Sequence, residues 1–417
     1  MKPTIASSLF AVILASSSLL SGTLFSSVDA AQNAPGLTLV NNDPAQDAAR
    51  PSLALDRTGN AVIALIERTG GVYRAFVKRW NGRTWTPLGG ALNLEPKFNA
   101  FNVALKLDRT DAPVAAWTER SNTNDGKAQG PGKVYAARWD GKSWQRFGES
   151  PTKKFASASD LPKLALDPKG YPVIGWSELS PDFNADSYFV DRWDGSRWQS
   201  IDTGSLSSDV SGSSRSRDLA VTSGGDPILA WSLQPYITGK GPLDFNVFVG
   251  PWDGNRWAGL GGVSLNTNPN AYAGSPSLAL DGQDRPVVAF KEAKAGFDVF
   301  VKRWTGSAWQ ALGGSVNNET GLADGPSLAL DKQGNPTVAW LENAGAVGVF
   351  VRRWDGTKWV SMGDRLNANP KAYALECSIA LDAKAQPIVA WTEEVSKDQR
   401  RVFVRRWNGK AWVGLKR

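Results

Sequence analysis

The chain has 417 residues, a formal net charge of +7, one cysteine and no histidine. A single cysteine excludes an internal disulfide, and the lack of imidazole excludes Ser-His-Asp and Cys-His nucleophiles and histidine-ligated metal sites. The positive charge is spread without a dense Lys/Arg stripe, so nucleic acid is not an expected partner, and no motif implies a cofactor.

The first segment, residues 1–30, has an early cation at Lys2, the apolar run LFAVILASSSLL and a small-residue end at Val28-Asp29-Ala30. This pattern predicts a signal peptide cleaved near Ala30 and a mature protein in the periplasm or outside the cell. No later stretch is long and charge-free enough to span a membrane. Cys377 reads as a buried structural thiol. Residues 31–50 form an N-terminal segment, and residues 51–417 are repeats of a roughly 50-residue unit.

The unit is clearest from Pro326: PSLALDKQGNPTVAWLE, a variable loop, then VFVRRWDGTKWVSMG. A basic residue followed by tryptophan recurs at Trp80, Trp139, Trp193, Trp252, Trp304, Trp354 and Trp407, with Pro251 replacing the base in the fourth copy. Seven doublets predict seven units, starting near residues 51, 102, 162, 217, 276, 326 and 377. A second tryptophan follows at 85, 144, 198, 257, 309, 359 and 412, and a third at 117, 176, 231, 340 and 391. These classes account for all nineteen tryptophans, so the residue is expected to pack the fold.

Each unit parses into four strands joined by Asp-x-x-Gly-x-Pro and WDGxxW turns. The second strand, as in Val287-Val288-Ala289-Phe290, is apolar on both faces, which requires a sheet covered on both sides. The predicted fold is all-β: a seven-bladed β-propeller of four-stranded antiparallel blades. An LN or VN pair follows the fourth strand at Leu92-Asn93, Leu265-Asn266, Val316-Asn317 and Leu366-Asn367. The last copy lacks one, and Val40-Asn41 supplies it from the other end, so the ring is expected to close near the N-terminal segment.

In these features the chain resembles the bacterial exported β-propellers of the sialidase and kelch type. Its WDGxxW turn is similar to a shortened Asp-box.

The turns joining strands one to two and three to four are short and alike, and place themselves on one rim. The other rim carries long, dissimilar loops, such as RSNTNDGKAQGPGK after Glu119 and LSPDFNADS after Glu178. Specificity is expected there. Beneath those loops a carboxylate ends the second strand in six copies, Glu67, Glu119, Glu178, Glu292, Glu342 and Glu393. These are the candidate ligand-binding residues. A parallel set, Arg79, Arg138, Arg192, Arg303, Arg353 and Arg406, is expected to pair with Asp56, Asp108, Asp167, Asp281, Asp331 and Asp382. Pairing with the glutamates is ruled out by a register that puts Glu292 opposite Val299 and Arg303 opposite Val288, about 13 Å along the strand. Asp182, Asn184 and Asp186 have a spacing calcium favours, without the rest of a calcium loop.

Repetition of polar positions argues for a monomeric, non-enzymatic scaffold that binds a glycan or an extracellular protein through the long-loop rim. Two other readings stand beside it. An enzyme acting on polysaccharide, assisted by Tyr188 or Tyr236, requires two funnel carboxylates in unlike environments. A multivalent lectin requires exposed tryptophan pairs. No catalytic residue is assigned.

Overall fold

The computed structural model describes residues 36–415 apart from 123–128, 153–158, 180–185, 203–215, 234–235, 238–240, 243 and 318–320. The expected signal peptide and the Asp182 and Asn184 positions therefore lie outside the described residues, and the side chain of Asp186 is likewise undescribed.

Each repeat folds as an antiparallel sheet with its strands in chain order. Blade five is representative, with strands Ala273–Leu280, Pro286–Ala293, Phe297–Trp304 and Trp309–Ala311. Its first turn is made by Asp281, whose Oδ1 accepts the amides of Gln283 and Arg285. The β-branched second strand is buried along nearly its whole length, as a sheet packed on both faces demands. Its hairpin to the third strand places Glu292 opposite Asp298 and Arg303 opposite Val287. This is one residue off the register expected from sequence, because the loop tightens to three residues, Lys294 donating to the Gly296 carbonyl.

The first strands of the seven blades, Ala48–Leu55, Phe98–Leu107, Ser159–Leu166, Arg217–Val221, Ala273–Leu280, Ala323–Leu330 and Ala374–Leu381, neighbour one another in a complete round that returns to its start. The fold is a seven-bladed β-propeller. Its interior is divided into seven apolar clusters, and each one straddles two neighbouring blades. Stability therefore resides at the seams. Blade four is reduced: its third strand ends at Pro251, and a lone bridge between Trp252 and Trp257 replaces the fourth strand.

Closure follows the sequence expectation. Thr38–Leu39 pairs with the third strand of blade seven, Thr38 opposite Val404 and Leu39 opposite Phe403. Val40 then donates its amide to the Val402 carbonyl at 2.9 Å, and the Asn41 side chain accepts the Val402 amide at 3.0 Å. Leu92-Asn93, Leu265-Asn266, Val316-Asn317 and Leu366-Asn367 do the same on Ala75, Val247, Val299 and Val349. No helix among the described residues is long and apolar enough to cross a membrane.

Candidate functional site

The six repeated glutamates are all buried, none more than 9% exposed. Glu67 accepts the amides of Asn42 and Asp43, both at 2.8 Å. Glu119 takes those of Leu94 and Glu95, Glu292 those of Thr267 and Asn268, and Glu393 those of Ala368 and Asn369. In each case the amides follow an LN or VN pair, so the carboxylate pins the strap that arrives from the preceding blade. Trp117, Trp176, Trp340 and Trp391 donate their indole N–H to the glutamate two residues on. The six carboxylates sit one to a blade at the same buried strand position, held by backbone amides or a tryptophan N–H.

In four blades a cation stands just ahead of the repeated arginine and faces the glutamate, as Lys78, Lys302, Arg352 and Arg405; in blades two and three that position is Ala137 and Asp191. Lys78 Nζ donates to the Val40 carbonyl at 2.6 Å, and Arg352 Nη1 to the Val316 carbonyl at 2.7 Å. Burial lowers the pKa of Lys78, Lys302, Arg352 and Arg405, opposed by the charges of Glu67, Glu292, Glu342 and Glu393 respectively. Burial likewise raises Glu67 and Glu393.

The expected Arg–Asp pairing is made by direct contact in one blade, while Arg353 feels the charges of Asp331 and Asp382 without touching either. Arg138 meets Asp108 at 2.5 Å, but Arg79, Arg192, Arg303 and Arg353 donate to the backbone carbonyls of Asp111, Gly225, Gly334 and Ala385 in the next blade's first turn. The aspartates are already engaged with their own turns, as Asp56 is by the amides of Thr58 and Asn60.

None of the fourteen paired tryptophan rings is exposed. All seven pairs sit edge-on or tilted, with centroids 5.4 to 5.6 Å apart. The second ring of most pairs donates its N–H to a carbonyl of the preceding blade, as Trp144 does to Leu88 at 2.7 Å and Trp198 to Phe147 at 2.8 Å. These rings join blades, and the condition for a tryptophan-based lectin is not met.

The mouth of the central channel on the long-loop rim differs from blade to blade. Lys291, 8% exposed, extends from the second strand of blade five to Asp324 on the first strand of blade six, with Nζ 2.7 Å from Oδ2. Asp324 Oδ1 also accepts the Ser275 hydroxyl at 3.0 Å, and Ser275 in turn donates its amide to the Ser216 hydroxyl, which meets that of Ser232. Phe245, Tyr272 and Phe297 line the outer side: Tyr272 lies 5.5 Å from Phe245 and 5.8 Å from Phe297, and Lys291 lies over both Tyr272 and Phe297. The Tyr272 hydroxyl lies over Gly274, where a Cβ would come within 3.1 Å of it.

On the neighbouring first strand of blade seven stands Glu376, half-buried, its Oε2 buried and without a hydrogen-bond partner. The next residue, Cys377, donates its thiol to the Gly325 carbonyl at 3.6 Å, which brings the two inner strands together beside Asp324. Burial, reinforced by Glu376, pushes the Cys377 thiol up to about 12, so it stays protonated and is no nucleophile at neutral pH. Asp324 and Glu376 thus stand on neighbouring inner strands in unlike surroundings, Asp324 against Lys291 and Ser275, and Glu376 within the field of Arg400. Tyr188 is 1% exposed beneath Arg217, away from any open surface, and the side chain of Tyr236 is not described. Among the described residues no cluster of acidic or thiol groups could hold a metal ion.

No protein-family profile matches the sequence, and no curated protein matches it. Solved structures do match in shape. An ulvan lyase, a polysaccharide lyase, aligns over 91% of this chain and 96% of its own with 12% identity and a TM-score of 0.55. The α-L-arabinanase of Penicillium chrysogenum, complexed with arabinobiose, aligns over 76% and 95% with 13% identity and a TM-score of 0.50. A protein of unknown function from Dyadobacter fermentans aligns over 88% and 96%, with 13% identity and a TM-score of 0.50. What they share with this chain is the propeller.

These findings correct the expectation of a non-enzymatic scaffold. Propellers of this shape include polysaccharide-cleaving enzymes. The premise of uniform polar positions also fails at the mouth, where Lys291, Asp324 and Glu376 have no counterparts around the ring. The signal was present in the sequence as departures from the repeat: Asp324, Gly325 and Glu376 stand where a blade-by-blade alignment shows no common residue.

Proposed function

We propose that the protein is a polysaccharide-cleaving enzyme whose active site is the long-loop mouth of the channel at blades five to seven. The observation that carries this reading is the unlike pair. Asp324 is ion-paired to Lys291 and hydrogen-bonded to Ser275, whereas Glu376 is half-buried and its inner oxygen, Oε2, has no hydrogen-bond partner. Glu376 is assigned the proton transfer, and Asp324 the fixed negative charge facing the bond that breaks. Tyr272 and Phe297 offer aromatic edges and faces to a sugar ring. The ulvan lyases and the arabinanase that share the fold support a polysaccharide as the substrate class. The reading includes export with cleavage near Ala30, which the apolar N-terminal run supports.

The test is a panel of plant, algal and bacterial polysaccharides assayed for new reducing ends and for the ultraviolet absorbance of an unsaturated uronate. These two readouts separate hydrolysis from elimination. Glu376→Gln and Asp324→Asn are each expected to lower kcat/KM at least about 100-fold, with Glu376→Gln leaving the melting temperature unchanged. Cleavage by Glu376→Gln at the wild-type rate, or no cleavage of any polymer, would sink the assignment.

A further inference from the structure

Only four large apolar side chains are exposed among the described residues: Val263, Leu322, Val360 and Tyr373. Two of them, Leu322 and Tyr373, occupy the same position in consecutive blades, directly ahead of the buried Ala323 and Ala374. The backbone confirms the equivalence, because their carbonyls accept the amides of Asn343 and Glu394, each the residue after a ring glutamate. In blade five that position is Tyr272, whose carbonyl accepts the Ala293 amide. Leu322 also bridges to Phe297, which joins the blade-five aromatics to blade six. In blades one and two the same position is polar, Asp47 and Asn99.

We infer that Tyr272, Leu322 and Tyr373 are a row of sugar-binding positions that holds several consecutive units of a linear polysaccharide across blades five to seven, past Asp324 and Glu376. This deepens the function proposed above and rests on it. Apolar side chains repeated at one position of consecutive blades, on rigid strands, suit the apolar ring faces of sugars along one chain. A monosaccharide or short end would use only one of them. The enzyme would therefore cut within chains, and its rate would rise with substrate length.

The experiment compares the wild type, Tyr373→Ala and Leu322→Ser on a cleaved polysaccharide and on short oligosaccharides prepared from it. Binding of the intact polymer to Glu376→Gln with and without Tyr373→Ala is measured by affinity electrophoresis. Val263→Ser, in the exposed turn after the reduced blade four, is the control and is expected to change nothing. Loss of one stacking position is expected to lower the polymer-to-oligosaccharide ratio of kcat/KM roughly fivefold to tenfold and to weaken polymer retention. An unchanged ratio with unchanged retention would overturn the row while leaving the enzyme reading intact. If the wild type cuts nothing but Tyr373→Ala still loses retention, the row stands and the enzyme reading fails.

Discussion

Glu67 and Lys78 grip the same passing strap from two sides, the carboxylate taking amides and the ammonium a carbonyl. Removing one member leaves the other charge buried with its partner gone, which costs more than the pair contributes. Glu67→Ala is expected to lower the unfolding free energy by about 3 kcal/mol, and the double change Glu67→Ala with Lys78→Met by less than the sum of the single changes. Urea denaturation of the three variants checks this, and strict additivity would mean that the two groups act apart. Burial raises Glu67 despite the amides that oppose it, so the folded chain holds this proton longer than the unfolded one. The contribution of the site is full below the ordinary glutamate value and fades as pH rises through the raised one. Glu67→Ala should lack that slope.

At the scale of the blade, the turn after the fourth strand is shaped by its neighbour. Gly89 has φ 74°, and a Cβ there would stand 3.0 Å from Trp139 and 3.3 Å from Trp144 of the next blade. Gly82, in the outer turn, has φ 95° but open space around it. Gly89→Ala combines left-handed strain with a clash and should cost about 3 kcal/mol, against about 1 kcal/mol for Gly82→Ala. Equal losses of melting temperature would show that the tryptophan pair yields freely. Blades, turns and the Val40-Asn41 seam were legible in the sequence because each is written several times over. The roles of Lys78 and Arg405 beside their glutamates were hidden because the repeated arginine beside the tryptophan marks one face of the strand, while alternation gives its predecessor the opposite face. Asp324, Lys291 and Glu376 were legible only as departures from the repeat: superposing repeats keeps what is common, and these residues occur once.

At the scale of the whole molecule, the N-terminal strap is the part that makes seven sheets a ring. A chain beginning at Asp47 would deprive Val402 of its partners, Glu67 of both amides and Lys78 of its carbonyl. Such a truncation is expected to lower the melting temperature by about 10 °C or more, and a peptide spanning residues 36–46 should restore part of it. A truncated chain that melts like the full one would show that the ring is held elsewhere. The hand-over at this seam, with a strap leaving one blade and a glutamate on the next receiving it, is also how the internal seams of blades one and two, four and five, and six and seven are made. A gene duplication that adds one whole unit such as blade one, five or six would bring one strap and one receiver together and leave its junctions complete. A duplication of any other length would strand one without the other, so ancestral changes in this lineage are expected to have come in whole units.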